Sequence, residues 1–185
     1  MKLIYVLLLM AYIPCANAQG MKSYNQDFCK QIVKDTSVDK TTFDFFSPYD
    51  RFSPPPMRIT RSYTTDAENP YDNFNIVFQI LNPDPDNNFM VNDKGDRVEK
   101  EEKQIVIEFE DHTKIVNDSI DVNHDYSEDK TQSMRYAYFP VTDNNFKDLS
   151  TKKVVKFSLA GHEQVMPNDS TNSFQKYLEC IKSYK

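Results

Sequence analysis

Apolar and polar residues alternate most regularly in "KQIVIEF", where Ile105, Ile107 and Phe109 fall on one face of an extended chain. Five other runs read as strands on the same grounds: "RITRSYTT", "NFNIVFQIL", "TKIVNDSI", "SMRYAYFPV" and "KKVVKFSLA". Between "KQIVIEF" and "KIV" stands "EDHT", the polar interval a tight hairpin turn requires. His112 then occupies a place more often held by Gly or Asn, and His tolerates a positive φ better than most residues. The aromatic stretch "TTFDFFSPYDRFSPPPMRI" predicts one short strand and an extended crossing segment, because Pro54, Pro55 and Pro56 admit neither a helix nor a central strand.

The periodicity changes near both ends. Tyr24, Phe28 and Ile32 recur every four residues and predict a short helix with Cys29 on its flank. Phe174, Tyr177, Leu178 and Ile181 stand at i, i+3, i+4 and i+7, an amphipathic stripe with Cys180 beside it and Asp169 or Ser170 available as cap. Thr142, followed by Phe146 and Leu149 three apart, predicts one or two further helical turns. The pattern is α+β and mainly β: an antiparallel sheet or sandwich with short N- and C-terminal helices, forming a single β-rich domain over residues 19–185.

The opening "MKLIYVLLLMAYIPCANA" has one lysine, an apolar run from Leu3 to Ile13 and a small-x-small ending. It reads as a secretory signal peptide over residues 1–18, cut between Ala18 and Gln19. The run is too short for a membrane-spanning helix, and no transmembrane segment is expected in the mature chain. A lipoprotein signal ending at Cys15 is the competing reading, and the proline in "YIPC" speaks against it. The expected location is therefore outside the cytoplasm, in the periplasm or at the cell surface or beyond it.

Composition narrows the function more by exclusion than by assignment. Gly20, Gly95 and Gly161 are the only three glycines, too far apart for a nucleotide-binding GxGxxG or GxxxxGK[ST] loop. The net charge of −6, one unit more negative once Lys2 leaves with the signal, argues against nucleic acid as a partner. Aromatic side chains make up 13 % of the chain without a single Trp, which suits half-buried pleated surfaces.

Without Cys15 the mature chain holds two cysteines, and an even count in an exported protein favours a Cys29 to Cys180 disulfide. Closing a loop of about 150 residues stabilises by roughly 5 kcal/mol in the chain-entropy model. Two separate buried thiols are the alternative. A redox centre is disfavoured, because such centres use CxxC spacing.

Candidate chemistry is sparse. Asp84, Asp86, Asn88, Asp93 and Asp96 could gather oxygen ligands for Ca²⁺, but the EF-hand pattern fails and a solvated hairpin loop is the simpler reading. His112, His124 and His162 lack zinc spacing, so no metal or other cofactor is expected. His124, Asp125 and Glu128 in "NHDYSED" offer a general base among carboxylates, within a stretch that otherwise reads as an exposed loop. Arg58, Arg61 and Arg135 lie on expected strands, and Arg135 in "MRYAY" could bind a carboxylate on a sheet face. "NDS" occurs at Asn117 and Asn168, overlapping short Asp-Ser motifs similar to bacterial O-glycosylation acceptors.

The stretch "YAYFPVTDNNFKDLSTKKVVKFSL", followed by "NSFQKYLECIKSY", resembles a C-terminal layout of small uncharacterised exported proteins of Gram-negative bacteria. These share an aromatic strand, a Thr-led short helix ending in Leu, a Lys-rich strand and a helix with Phe, Leu and Cys. "EFEDHTKI" resembles their hairpin, with His112 where glycine is usual. The resemblance implies export and a β-rich fold, and transfers no catalytic residue. A non-enzymatic periplasmic or surface-associated protein that binds an envelope protein or a small ligand is the leading expectation. A small envelope hydrolase using acids such as Asp125 and Glu128, or an inhibitor or immunity protein for a secreted toxin, are the alternatives. N-terminal sequencing of the protein from its native host is expected to begin at Gln19; a chain that retains Met1 would contradict the export reading.

Overall fold

The computed structural model describes residues 28–35, 42–46, 56–82, 85–127, 132–167 and 171–184. The expected leader with its Ala18 to Gln19 junction, Cys15, Tyr24, Pro54, Pro55, Asp84, Glu128, Asn168, Asp169 and Ser170 lie outside these residues. Among the described residues, β1 (Val33–Asp35), β2 (Thr42–Phe46), β3 (Met57–Thr64) and β4 (Asp72–Asn82) come first. A small hairpin of β5 (Phe89–Val91) and β6 (Arg97–Glu99) follows, then β7 (Glu102–Phe109), β8 (Lys114–Tyr126) and β9 (Ser133–Pro140). Helix α1 (Asp143–Thr151), β10 (Val154–Leu159), β11 (His162–Val165) and helix α2 (Thr171–Ser183) complete the chain.

Nine strands pair antiparallel in the order β1-β2-β3-β4-β9-β8-β7-β10-β11, with β5 and β6 forming a separate two-stranded ladder. The sheet is curled: β10 approaches β9 and β11 approaches β4, neither being a ladder neighbour. The fold is thus α+β and mainly β, as the alternation predicted. The spacing of Tyr24, Phe28 and Ile32 predicted a helix, but the described part is one 3-10 turn, Phe28–Gln31, and the chain then enters β1. Pairing with β2 outweighs a local four-residue period, which short segments specify weakly.

One face of the sheet carries the core. Ile59, Ile76, Phe78, Ile105, Ile107, Phe157 and Leu159 are buried there, with Phe78 edge-on to Phe157 at 4.8 Å and to Phe139 at 6.2 Å. Leu149 of α1 and Phe174, Leu178 and Ile181 of α2 cover this apolar end. Helix α1 begins where Thr142 predicted: the Thr142 backbone N–H donates to Asn145 Oδ1 at 2.8 Å. Two hairpins of the nine-stranded sheet use left-handed residues. His112 takes φ 64° between β7 and β8, and its N–H donates to the Phe109 carbonyl at 2.9 Å. Ala160 and Gly161 take φ 48° and 83° in the two-residue turn that creates β11, a strand not foreseen from the sequence.

The C-terminal helix is fastened at one end by a buried cation. Arg61 grips Asp72 through Nε (2.9 Å) and Nη2 (2.6 Å), while Nη1 donates to the carbonyls of Ile181 (3.1 Å), Lys182 (2.8 Å) and Tyr184 (3.0 Å). Those carbonyls end a helix, where no intrahelical donor remains and positive charge is favoured. Beside them Cys29 and Cys180 are bridged, their Cα atoms 5.3 Å apart, and Tyr184 Oη donates to the Cys29 carbonyl at 3.1 Å. Replacing Arg61 by Met leaves these helix-end acceptors short of a donor, so a loss of about 2–3 kcal/mol is expected in urea unfolding. Asp72→Asn, which removes a half-exposed carboxylate, is expected to cost under about 1 kcal/mol; equal losses would contradict the helix-capping role.

Candidate functional site

At the other end of the same face the side chains turn polar, and a break in alternation is the cause. The β7 to β8 ladder pairs Ile107 with Ile115 and Ile105 with Asn117, then shifts register, with Gln104 at φ 96°. Gln104 Nε2 donates to Asp118 Oδ1 at 2.7 Å across the irregularity. Beyond it Glu102 pairs with Val122, and Val122 belongs to the core. Alternation has moved by one residue on both strands, so even-numbered Glu102, Val122 and His124 share the face of odd-numbered Ile105 and Ile107. In the next ladder His124 stands opposite Arg135 and Tyr126 opposite Ser133.

These residues form one connected network. Glu102 Oε2 accepts from Arg135 Nε at 3.1 Å and lies 3.2 Å from His124 Nε2. Glu99 Oε1 lies 2.9 Å from His124 Nδ1 and accepts from Tyr126 Oη at 3.0 Å. The imidazole therefore sits between two carboxylates, each within hydrogen-bond reach of one ring nitrogen. Asn88, fully buried, donates to Ser133 Oγ at 2.9 Å and Tyr126 Oη at 3.4 Å, and accepts from Asn82 Nδ2 at 3.1 Å. Side-chain exposure is 2 % for both His124 and Arg135 and 14 % for Glu102. Arg135 Nη2 is buried and has no partner among the described residues.

Two titrating groups feel this cluster. Burial first, and then the Glu99 hydrogen bond and charge, push the Tyr126 phenol up, against a lowering from Asn88. His162 is exposed on β11, yet desolvation by neighbouring atoms holds its imidazole below the ordinary value. Arg135, His124 and Lys100 add to the lowering and Glu102 opposes it. The curl of the sheet thus brings β11 into the field of the buried cluster.

A concavity of about 530 Å³ opens beside the network, walled by residues 99–103, 121–124 and Tyr136. Glu99, Glu102 and His124 belong to both. The sequence pointed to His124 and Arg135; Glu99, Glu102 and Tyr136 carried no signal, because strands distant in the chain bring them in. "NHDYSED" read as an exposed loop, but β8 runs through Tyr126. The inward positions there are His124 and Tyr126, so no apolar alternation marks the strand. Asp125 is exposed, and its Oδ1 accepts from the Tyr126 backbone N–H at 2.9 Å.

The other candidates are held elsewhere. Asp86 pairs with Arg97, Asn88 is turned into the network, and Asp93 and Asp96 lie at the β5 to β6 turn, where Asn92 Oδ1 accepts from the Lys94 and Asp96 N–H groups at 2.9 Å. Among the described residues no group of three or more His, Cys, Asp or Glu is placed to hold a metal ion. His112 lies exposed at its turn, 3.9 Å from Glu108. Asn117 Oδ1 accepts from the Ser119 N–H at 3.0 Å. No helix among the described residues is long and apolar enough to cross a membrane.

Compared with known protein families, curated proteins and solved structures, the chain matches none. The geometry itself therefore carries the functional reading.

Two outcomes follow. Asn88→Ala removes the shared partner of Asn82, Ser133 and Tyr126, and is expected to lower unfolding free energy by about 2–3 kcal/mol; a change within about 0.5 kcal/mol, the range of an ordinary surface substitution, would contradict its place in the network. In an NMR titration the His162 ring is expected to titrate below the ordinary histidine value of about 6.5. Lys100→Met, by removing a neighbouring cation, should move that midpoint up, and a downward move would contradict the placement.

Proposed function

We propose that this is an exported, non-enzymatic binding protein of the bacterial envelope, whose ligand enters the concavity beside Glu99, Glu102 and His124. The observation that carries the reading is how His124 is committed. Both ring nitrogens face carboxylate oxygens of the protein, and the ring is enclosed to 2 % exposure. A general base needs a free lone pair within reach of the substrate proton, whereas this imidazole ties the end of β6 to the start of β7 and to β9. The network acts as a fixed wall. A wall held by its own hydrogen bonds suits recognition, since a preformed site avoids the cost of ordering side chains on binding.

Export is supported by the leader-like first eighteen residues and by the Cys29 to Cys180 bridge, which persists in oxidising surroundings. The hydrolase reading finds Asp125 outside the residues that line the cavity and Glu128 outside the described residues. The inhibitor reading draws on acidity alone.

Purified mature protein mixed with isolated envelope material is expected to be retained saturably, without releasing new soluble reducing ends or amino groups. Product release that disappears in His124→Gln would replace the binding reading with the hydrolase.

A further inference from the structure

We infer that the concavity takes an uncharged, polyhydroxylated ligand, a carbohydrate, seated against the ring of Tyr136 and hydrogen-bonded by Asn123 and Glu101. The inference rests on the binding reading and names the ligand class for that same cavity.

Charge is the first argument. Four carboxylates and two lysines line the cavity, which by count alone suggests a cationic ligand. Yet much of that charge is already engaged within the protein: Glu102 pairs with Arg135, Asp121 with Lys103 at 3.2 Å, and Glu99 accepts from Tyr126 Oη and lies 2.9 Å from His124 Nδ1. Lys100 Nζ donates to the Asn87 carbonyl at 2.6 Å and remains as a cation to set against Glu101. A charged ligand would have to compete with pairs already made, and like-charge contacts would penalise either sign.

The second argument is what remains unused. Among the described residues, the exposed side chains of Asn123 and Glu101 have no hydrogen-bond partner, and both line the cavity. An amide offers donors and acceptors, and a carboxylate offers acceptors. That mixture matches hydroxyl groups, each of which both donates and accepts.

Tyr136 supplies the apolar part. It stands opposite Asn123 in the β8 to β9 ladder, so the ring and the amide are immediate neighbours. Tyr138 braces it edge-on, with centroids 5.8 Å apart and planes at 86°. Burial, with Tyr138, Asp125 and Glu99 adding, pushes the Tyr136 phenol up, so the ring stays neutral. A fixed aromatic ring bordered by polar groups suits a sugar, whose ring presents C–H bonds on its faces and hydroxyls at its edge. The 530 Å³ volume falls within the roughly 300–1,000 Å³ of small-ligand sites.

The test is retention of the full mature protein on an array of neutral and acidic glycans, with spermine and tripolyphosphate titrated calorimetrically. Saturable retention by neutral glycans is expected, weakened roughly tenfold by Tyr136→Ala and by Asn123→Ala. Leu81→Ala, outside the cavity, should bind as the parent does. Asn123 is exposed, so its variant keeps the test valid if Tyr136→Ala proves unstable on melting. No neutral glycan retained, or retention indifferent to both cavity variants, overturns the inference. Spermine or tripolyphosphate binding that the same variants abolish overturns the ligand class and leaves the binding reading standing. Cleavage of a retained neutral glycan upholds the ligand class and overturns the non-enzymatic reading instead.

Discussion

A guanidinium placed at 2 % exposure on the middle strand of a nine-stranded sheet has to be neutralised where it lies. Removing a charge from water costs several kcal/mol even after relaxation, and an unmatched ion would shift or unfold its surroundings. Arg135 meets this constraint with Glu102, which also contacts His124, which in turn contacts Glu99. Each partner comes from a different strand, so the requirement of one cation fixes how β6, β7, β8 and β9 sit relative to one another. The register irregularity at Gln104 belongs to the same requirement, because without it Glu102 would point to the opposite face.

The same face solves two problems at its two ends. At the apolar end, Leu149, Phe174, Leu178 and Ile181 bury helices against Ile59, Phe78 and Phe157, and area removed from water supplies the stabilisation. Arg61 and the Cys29 to Cys180 bridge fasten the close of α2 there. At the polar end hardly any apolar area remains to be buried, so hydrogen bonds and ion pairs must hold the walls. Those contacts contribute less net stability per group than packing does. They leave side chains in defined positions beside the concavity.

The apolar end was legible in the sequence and the polar end was largely not. Ile105, Ile107 and Phe109 alternated and became β7; Phe174, Leu178 and Ile181 kept helical spacing and became the buried stripe of α2. His112 was expected at a positive φ and has one. Hydrophobic periodicity, however, reports only faces that bury apolar residues. His124 and Tyr126 face inward with no apolar neighbour in sequence, so the end of β8 resembled a loop. Glu99 and Glu102 had no distinguishing local pattern, since their importance comes from Arg135, more than thirty positions along the chain. The β10 to β11 hairpin carried a signal in the Ala160-Gly161 pair, where two left-handed residues make a two-residue turn, although β11 is only four residues long.

The account depends on Arg135 and Glu102 acting as one buried unit, and a double-mutant cycle in urea unfolding measures that directly. Glu102→Gln alone should cost about 3–5 kcal/mol by leaving the cation uncompensated, whereas adding Arg135→Met should recover much of that loss. A double variant as unstable as the sum of the two single ones would mean that the pair is uncoupled, and that something else holds the wall of the cavity.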